Sequence, residues 1–366
     1  MREIPATWMR GGTSKCWVFR RADLQVGDLS IDDVLLRIYG SPDHRQVDGV
    51  GGGTSTTSKA VILAPSERDG VDVEYTFAQV GIDEAKVDWG SNCGNCSAVV
   101  ASFAIREGWV PTNDGETAVR VLNTNTDQLI VQRVDTPGAE LLEAATENIP
   151  GVPFPGAPVR MGFVDPAGRS TGQLFPTGRV SDTIEVAQQS VTVTLVDAGA
   201  PVVAVSAADF GVRGDEDPHE LDATPGLLAR LEVVRRQAGV LMGLAESTAL
   251  VARAVPKLAM VSSPASEEDT DLTVRMLSMG RFHPAVPVTG SVALTLAAGV
   301  PGTVVHDLAR GDAAAGLRLG TPAGCVTTFV EEHDSVPVVG VVRTYRRLAH
   351  GSVLLADPPL LPSNSA

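Results

Sequence analysis

Several features are scarce in this sequence of 366 residues, and each scarcity excludes a class of protein. Aromatic residues make up only 4%, whereas 37 glycines and 24 prolines are present, which favours many short strands and turns over a helical bundle. Four cysteines in so long a chain do not form a disulfide scaffold. No apolar run approaches the roughly 18 residues of a membrane helix, and the first residues lack the apolar stretch of a secretory signal. We therefore expect a cytoplasmic, reduced protein that does not enter a membrane.

Positive charge is also scarce. The chain has 29 lysines and arginines against 44 aspartates and glutamates, a formal net charge of -15 at pH 7. Because binding to nucleic acid needs a basic face, nucleic acid is excluded as a partner. A small anionic substrate is compatible with this charge if a few cations gather at one place. The length allows two domains with large cores, and a homodimer is compatible with the composition.

The segment around which the chain is organised runs from residue 91 to 108 and is apolar on nearly every face after a polar start. This pattern predicts a helix through a core, with Ser91 or Asn92 as its N-cap. The free N–H groups and positive dipole end would bind a carboxylate, and they would ease ionisation of Cys93 beside them. The alternative is a buried helix in which Cys93 and Cys96 are inert small hydrophobes.

A second apolar helix is predicted over residues 292–298, directly after Thr289, Gly290 and Ser291. Each half of the chain therefore combines strands with one apolar helix that has a polar start. This indicates two pseudo-symmetric domains of the α+β class whose helices point into one interdomain cleft. The predicted first domain covers residues 1–155 with a returning segment at 340–357, the second covers 156–339, and 358–366 form a disordered tail.

Two turns carry similar glycine, threonine, serine and lysine residues. The first, residues 10–15, contains two cations and two hydroxyls, and the second runs from Gly51 to Lys59. The second resembles a phosphate loop but has Ser58 in place of the second glycine and Ala60 after the lysine, so we exclude nucleotide binding. Burial in the following strand and neighbouring cations predict a lowered pKa for Lys59, as a base requires. A surface hairpin and a flexible linker are the alternatives for the two turns.

The remaining periodicities predict the other elements of an α+β fold. Helices are predicted over residues 31–39 and 227–239. Strands are predicted over residues 4–9, 16–19, 60–64, 71–80, 119–122, 129–134, 159–164, 191–196, 201–206, 257–262, 272–277, 324–331, 338–345 and 351–355.

Five motifs occur in a fixed order: MRGGTSK, QVDGVGGGTSTTSK, SNCGN, FPTGR and HPAVPVTGS. Over about residues 5–345 the chain thereby resembles the family of methylaconitate cis-trans isomerases, 4-oxalomesaconate tautomerases and methylitaconate-type isomerases. The resemblance implies the diaminopimelate-epimerase-like fold, with strands wrapped around a central helix in each of two domains and the active site between them. It also implies cofactor-free proton transfer on a small unsaturated di- or tricarboxylate.

The resemblance assigns catalytic roles to Lys59 and Cys93, and we expect Cys96, one helical turn further on, to be structural. It implies no metal and no cofactor, and it places the remaining motif residues around the substrate: Arg10, Thr13, Ser14, Ser58, Asn92, Gly94, Asn95, His283, Thr289, Gly290 and Ser291. The second helix has no cysteine at its start, which argues against a two-thiol racemase. Cys16 stands where these proteins usually have glycine, and we expect it to narrow the first turn.

Two other functions compete with isomerisation. Cys93 and Cys96 form a C-x-x-C motif, as in thiol redox proteins, although the chain context is wrong for that fold. A non-catalytic carboxylate-binding protein is the second alternative, and it would leave Lys59 with an unperturbed pKa. A zinc site is disfavoured because Cys16 and Cys325 lack paired ligands and the six histidines have no ligand spacing. The sequence leaves the choice among unsaturated acids open.

Overall fold

Strands carry most of this fold. The structure is a computed structural model and describes residues 2–90, 92–253, 255–264, 270–278, 280–333 and 336–356. The strands are β1 Arg2–Gly11, β2 Ser14–Arg20, β3 Lys59–Pro65, β4 Val73–Val80, β5 Val87–Asp88, β6 Gly115–Asn123, β7 Gln128–Thr136, β8 Ala157–Val164, β9 Asp182–Val186, β10 Gln189–Ala198, β11 Ala200–Ser206, β12 Lys257–Ser262, β13 Leu272–Ser278, β14 Arg281–Phe282, β15 Arg318–Thr321, β16 Gly324–His333 and β17 Val336–Leu355. The helices are α1 Ile31–Tyr39, α2 Gly94–Ser97, α3 Val100–Arg106, α4 Pro218–Ala223, α5 Leu227–Leu241, α6 Val288–Ala298 and α7 Val304–Leu308.

Eight strands of the first half close into a barrel-like ring. Their order is β1, β2, β3, β4, β6, β7, β8 and β17, and β17 returns to pair with β1. The contacts β2–β3 and β4–β6 are parallel, and the others are antiparallel. Because the ring closes, its strands leave no free edge, and their inward side chains surround α2 and α3 in one apolar core.

The second half repeats this order of pairing. The strands follow one another as β9, β10, β11, β12, β13, β15, β16 and the first part of β17. The contacts β11–β12 and β13–β15 are again the parallel ones. Helix α6 occupies the position that α2 and α3 have in the first half, and its residues are nearly all buried, as its uniformly apolar sequence predicts.

The central helix of the first half is not continuous, contrary to the prediction of one helix over residues 91–108. Helix α2 ends at Ser97, and α3 begins at Val100. The amide of Gln132, from β7, inserts into the helical hydrogen bonds: its Oε1 accepts from Ala101 N over 3.0 Å, and its Nε2 donates to Ser97 O over 2.7 Å. A side chain inserted into the ladder in this way interrupts a helix.

The other predicted helices and strands are present, with ends shifted by a few residues. Two strands predicted at 338–345 and 351–355 are one continuous strand, β17. Strand β9 and the short β5, β14 and β15 were not predicted, and neither were α4 and α7. The predicted tail at 358–366 lies outside the described residues. Among the residues that the structure describes, no helix has the length and apolarity to span a membrane.

Candidate active site

The turn between β1 and β2 lies on the N-terminal end of α2. Gly12 has a positive φ of 51°, and a Cβ atom there would clash with the side chain of Asn95. Asn95 in turn donates from Nδ2 to the Thr13 hydroxyl over 3.0 Å, and Ser14 is buried at the start of β2. The structure therefore brings the predicted residues Thr13, Ser14 and Asn95 together at one helix end.

Arg10, near the end of β1, supports this turn through its guanidinium group. Its Nη1 donates to Gly12 O over 3.0 Å and to the Thr344 hydroxyl over 2.9 Å. Burial, followed by the charge of Arg346, lowers its pKa, and its buried Nη2 has no hydrogen-bond partner among the described residues. These contacts make Arg10 a positioning residue for the turn, and direct contact with substrate stays a prediction.

Lys59, the first residue of β3, is held in a buried position. Its Nζ donates to Gln79 Oε1 over 2.8 Å and lies 4.9 Å from the centre of the Phe77 ring. The amide of Gln79 also donates to Ser58 O over 2.7 Å, so one side chain fixes both the ammonium and the backbone before it. Two contacts from neighbouring elements thus restrict where the Lys59 amine can reach.

The Ser58 hydroxyl holds the loop before β3, and its contact with substrate stays a prediction. Its hydroxyl is fully buried, donates to Val80 O over 2.9 Å and accepts from Gln46 Nε2 over 2.8 Å. Gln46 also accepts from Gly53 N over 2.8 Å. One donated and one accepted hydrogen bond of the Ser58 hydroxyl therefore hold the 46–58 loop.

Cys93 is the N-cap of α2, a role that the sequence assigned to Ser91 or Asn92. Its Sγ accepts from Cys96 N over 3.5 Å, and its carbonyl accepts from Tyr75 OH over 3.3 Å. Asn92 is half-buried and its Oδ1 has no partner among the described residues, and Ser91 lies outside them. The thiol, rather than a polar side chain before it, therefore occupies the helix end.

The thiol of Cys93 is harder to ionise than its position predicts. The hydrogen bond with the Cys96 side chain, together with burial, raises the pKa of Cys93 well above its ordinary value. The prediction of an easily ionised thiol was wrong. The N-terminal end of a short buried helix stabilises the Cys93 thiolate less than burial and the Cys96 thiol destabilise it. At neutral pH Cys93 carries its proton.

The predicted pKa of Lys59 was also wrong. Burial lowers the pKa of Lys59, but electrostatic interactions with Cys93, Cys96 and Cys16 and a hydrogen bond with Cys93 outweigh it, so that the pKa is raised. The sequence argument assumed that cations surround Lys59, whereas the groups that act on it are thiols. Lys59 is therefore an ammonium at neutral pH, next to a protonated Cys93.

Cys16 lies beneath this pair rather than in the first turn. It is fully buried in β2, and its thiol hydrogen-bonds with Cys96, which raises the pKa of Cys96 together with burial, the larger cause. The effect of Cys16 on the width of the first turn stays a prediction. In the described part of the chain no three His, Cys, Asp or Glu side chains are grouped as metal ligands.

The start of α6 supplies the second helix end. Its N-cap is Pro287, with no side-chain cap, while Thr289 is buried and Ser291 donates from its hydroxyl to Val288 O over 2.7 Å. A Cβ atom on Gly290 would lie 2.6 Å from Met276 Sδ, so the flexible end of the Met276 side chain would have to move to accept it. Backbone N–H groups, rather than the Ser291 hydroxyl, are thus what this helix offers an anion.

His283 lies shortly before α6 in the chain. Its Nδ1 lies 2.7 Å from Ala285 O and 2.9 Å from Ala285 N, and which of these contacts is a hydrogen bond depends on the tautomer of the ring. Burial lowers the pKa of His283, and the charges of Lys257 and Lys59 lower it further, whereas the contact with Ala285 opposes this. His283 is therefore neutral at pH 7.

Two cations at the site were missed from the sequence. Lys257 begins β12 and interacts electrostatically with Cys93. Arg343 is 5% exposed, donates to Val342 O over 3.0 Å, and lines a small cavity together with Thr13 and Asn95. Burial lowers the pKa of Arg343 to about 10. The signal that could have found Lys257 is its position, since it opens an apolar strand in the second half as Lys59 does in the first.

Comparison with known proteins gives consistent results over nearly the whole chain. The family profile described as PrpF protein matches residues 1–356. The chain is 40% identical to the 4-oxalomesaconate tautomerase of Pseudomonas putida, with 96% of each chain covered. It is 36% identical to the 2-methyl-aconitate isomerase of Shewanella oneidensis, with 97% of this chain and 98% of that protein covered.

The comparison with solved structures agrees with the comparison of sequences. The crystal structure of methylitaconate-delta-isomerase has a TM-score of 0.86 and 36% identity, covering 96% of this chain and 95% of the other. A hydroxyproline epimerase from Agrobacterium vitis has a TM-score of 0.54 at 12% identity, covering 98% and 94%, and shows a shared fold alone.

Proposed function

Because the chain belongs to the PrpF protein family, we propose that it moves a proton on a small unsaturated di- or tricarboxylate, such as 2-methylaconitate or 4-oxalomesaconate. The chain is an isomerase, as are its relatives at 36–40% identity over nearly their full length. The reaction is an allylic shift or a cis–trans isomerisation without a cofactor. The observation that carries this proposal is the buried Lys59 ammonium beside the Cys93 thiol at a helix end.

In the first step Lys59 is the base. Its amine must first lose the proton that it carries at neutral pH, and it then removes a proton from the carbon next to the unsaturated acid. The electron pair of that C–H bond moves into the conjugated system and forms a dienolate. Gln79 orients the amine through the 2.8 Å hydrogen bond, so the base is fixed relative to the substrate.

The negative charge of the dienolate lies on a carboxylate oxygen. We assign its stabilisation to the N-terminal N–H groups of α6 and to the guanidinium of Arg343, which lines a small cavity with Thr13 and Asn95. Because these donors are held by a packed helix and a buried strand, they need little reorganisation as charge develops.

In the second step Cys93 is the acid. Its raised pKa keeps the thiol protonated, and it donates this proton to the conjugated carbon, or to the same carbon after rotation. The resulting thiolate lies beside the Lys59 ammonium, and the attraction between them is what raises the pKa of Lys59. Transfer of the proton from the Lys59 ammonium to the Cys93 thiolate restores the neutral amine and the thiol with which the first step began, so each turnover neither gains nor loses a proton.

The proposed site lies in a cleft between two pseudo-symmetric domains, residues 1–155 with 340–357 and residues 156–339. The repeated order of strand pairing supports this division, and so does the contact between the starts of α2 and α6. A thiol redox function is less consistent with Cys96, which is fully buried within the apolar core. A cytoplasmic location and a homodimer remain expectations from the sequence.

An assay of isomerisation tests the function directly. The purified protein is given a panel of unsaturated acids, 2-methylaconitate, 4-oxalomesaconate and 3-methylitaconate, and ultraviolet absorbance follows the change in conjugation. We expect turnover of at least one of them without added metal or nucleotide, and inhibition by trans-aconitate. Absence of both turnover and trans-aconitate binding would contradict the proposal, and binding without turnover would support the carboxylate-binding alternative.

A further inference from the structure

We propose that Lys257 is a second substrate-binding cation, which binds one carboxylate of the substrate from the second half and makes the site selective for di- and tricarboxylates. This inference rests on the proposed function and adds the group that distinguishes such substrates from monocarboxylates.

The first observation is the position of Lys257 in the repeated fold. Lys59 begins β3, which pairs in parallel with β2, and Lys257 begins β12, which pairs in parallel with β11. Each of these strands follows a hairpin whose turn lies against the start of a central helix. A Cβ atom added to Gly12 would clash with Asn95, and a Cβ atom added to Gly199 would lie 3.2 Å from Thr289 O. The two lysines therefore open equivalent strands on the two sides of the site.

The second observation is what surrounds the Lys257 side chain. Lys257 is half-buried and has no hydrogen bond or ion pair with any residue that the structure describes. The titratable groups that interact electrostatically with Lys257 are Cys93 and His283. Cys93 is also the group coupled to Lys59, so the two ammonium groups face one thiol. Lys59 is held by Gln79, whereas Lys257 is left to pair with a ligand.

The third observation is the charge of the site. Cys93 carries a proton at neutral pH and His283 is neutral, so the groups that face Lys257 supply no anion to compensate it. A half-buried cation without a counterion is costly, and an anionic ligand removes that cost. Only four of the 29 lysines and arginines in this chain are lysines, and two of those four lie at this site.

Substitution with a matched ligand pair tests the proposal. Lys257→Met keeps most of the apolar stem and removes the charge, and Lys86→Met changes an exposed lysine as a control. We expect Lys257→Met to weaken binding of trans-aconitate by about 10- to 100-fold, as loss of a charged hydrogen bond does, and to change binding of the monocarboxylate crotonate less than about twofold. Lys257→Arg should restore part of the trans-aconitate affinity. An equal loss for both acids, or no loss for either, would overturn the selectivity role.

Chemical labelling of the unmodified protein gives a second test that does not depend on the folding of a variant. With four lysines in the chain, acetylation by acetic anhydride can be followed at each one by mass spectrometry. We expect trans-aconitate to slow acetylation of Lys59 and Lys257 at least about fivefold and to leave Lys15 and Lys86, both exposed, unchanged. Protection of Lys59 alone would overturn this inference while the proposed function stands. Protection of neither would contradict both.

Discussion

Gly94 at the start of α2 packs directly against Val288 at the start of α6. A Cβ atom added to Gly94 would lie 2.6 Å from the Cβ of Val288, closer than side-chain carbons approach in proteins. The spacing between the two helix ends therefore depends on the absence of a side chain at residue 94. Both ends are proposed to bind the same substrate, so this contact also sets the distance between its binding groups.

Gly94→Ala should consequently impair catalysis more than folding. The added methyl pushes the helix ends apart by several tenths of an ångström, and misplacement on this scale costs catalysis heavily. We expect kcat/KM to fall at least about tenfold and Tm by a few degrees, measured by initial rates and calorimetry. Gly351→Ala is the control, because a Cβ atom there meets nothing within 4 Å. Unchanged kcat/KM in Gly94→Ala would show that the spacing does not matter.

Replacing Lys59 tests the proposed base. Loss of a positioned base costs about 10²- to 10⁴-fold in rate, so kcat of Lys59→Ala should fall by that factor while circular dichroism stays native. Gln79→Leu should cause a smaller loss, because the amine is kept but its hydrogen bond is removed. Lys86→Ala, at an exposed lysine, serves as the control. A folded Lys59→Ala protein with normal kcat would refute the mechanism.

The pH dependence follows from the raised pKa values of Lys59 and Cys93. Both groups are protonated at neutral pH, and the active state lacks one of these protons, so its population grows as pH rises. We expect kcat to increase between pH 7 and pH 9, by up to about tenfold per unit. Because burial lowers the pKa of Lys257, KM should also increase toward the upper end of this range. A kcat that is constant from pH 7 to 9 would contradict this protonation scheme.

Cys96 affects the acid without taking part in the reaction. Its side chain raises the pKa of Cys93, so Cys96→Ala should shift alkylation of Cys93 by iodoacetamide to lower pH. Activity should be largely retained in Cys96→Ala and reduced in Cys93→Ala. If both variants were equally inactive, the C-x-x-C redox alternative would gain support, since that chemistry needs both sulfurs.

The buried charge of Arg343 is expected to lower the free energy of unfolding of the protein without ligand. Its folded-state pKa of about 10 lies below the ordinary 12.5, so the charged form is destabilising at neutral pH. We expect Arg343→Met to stabilise the free protein by about 1–3 kcal/mol and to reduce the rise in Tm caused by trans-aconitate. Thermal melts with and without trans-aconitate measure both effects, with Arg45→Met as an exposed control. A lower Tm without ligand would contradict this interpretation.

Local patterns were enough to predict most elements and the family. The alternation of apolar residues located the long strands, and the uniformly apolar composition of α6 predicted its buried position. The family prediction is confirmed by the match over residues 1–356. The five ordered motifs contain Lys59 and Cys93, which the structure brings together.

Long-range contacts account for what was missed. The break between α2 and α3 is caused by Gln132, which is far away in sequence and looks like an ordinary strand residue. The protonation of Lys59 depends on thiols from β2 and α2, and only the folded sheet brings these to β3. Lys257 and Arg343 lie outside the five motifs, so only the fold shows that Lys257 interacts with Cys93 and that Arg343 lines a cavity with Thr13 and Asn95.

Strand β17 makes folding of the first half depend on the end of the chain. Residues 345–355 close the ring by pairing with β1, and Arg10 and Thr344, which are hydrogen-bonded, are 334 positions apart. During synthesis β1 leaves the ribosome long before its partner exists, so one of its edges stays unpaired while the intervening chain is made. Pairing of such distant segments is intrinsically slow. The newly made protein therefore passes through a period in which the unpaired edge of β1 can aggregate. Protection by chaperones would matter most before β17 has been synthesised.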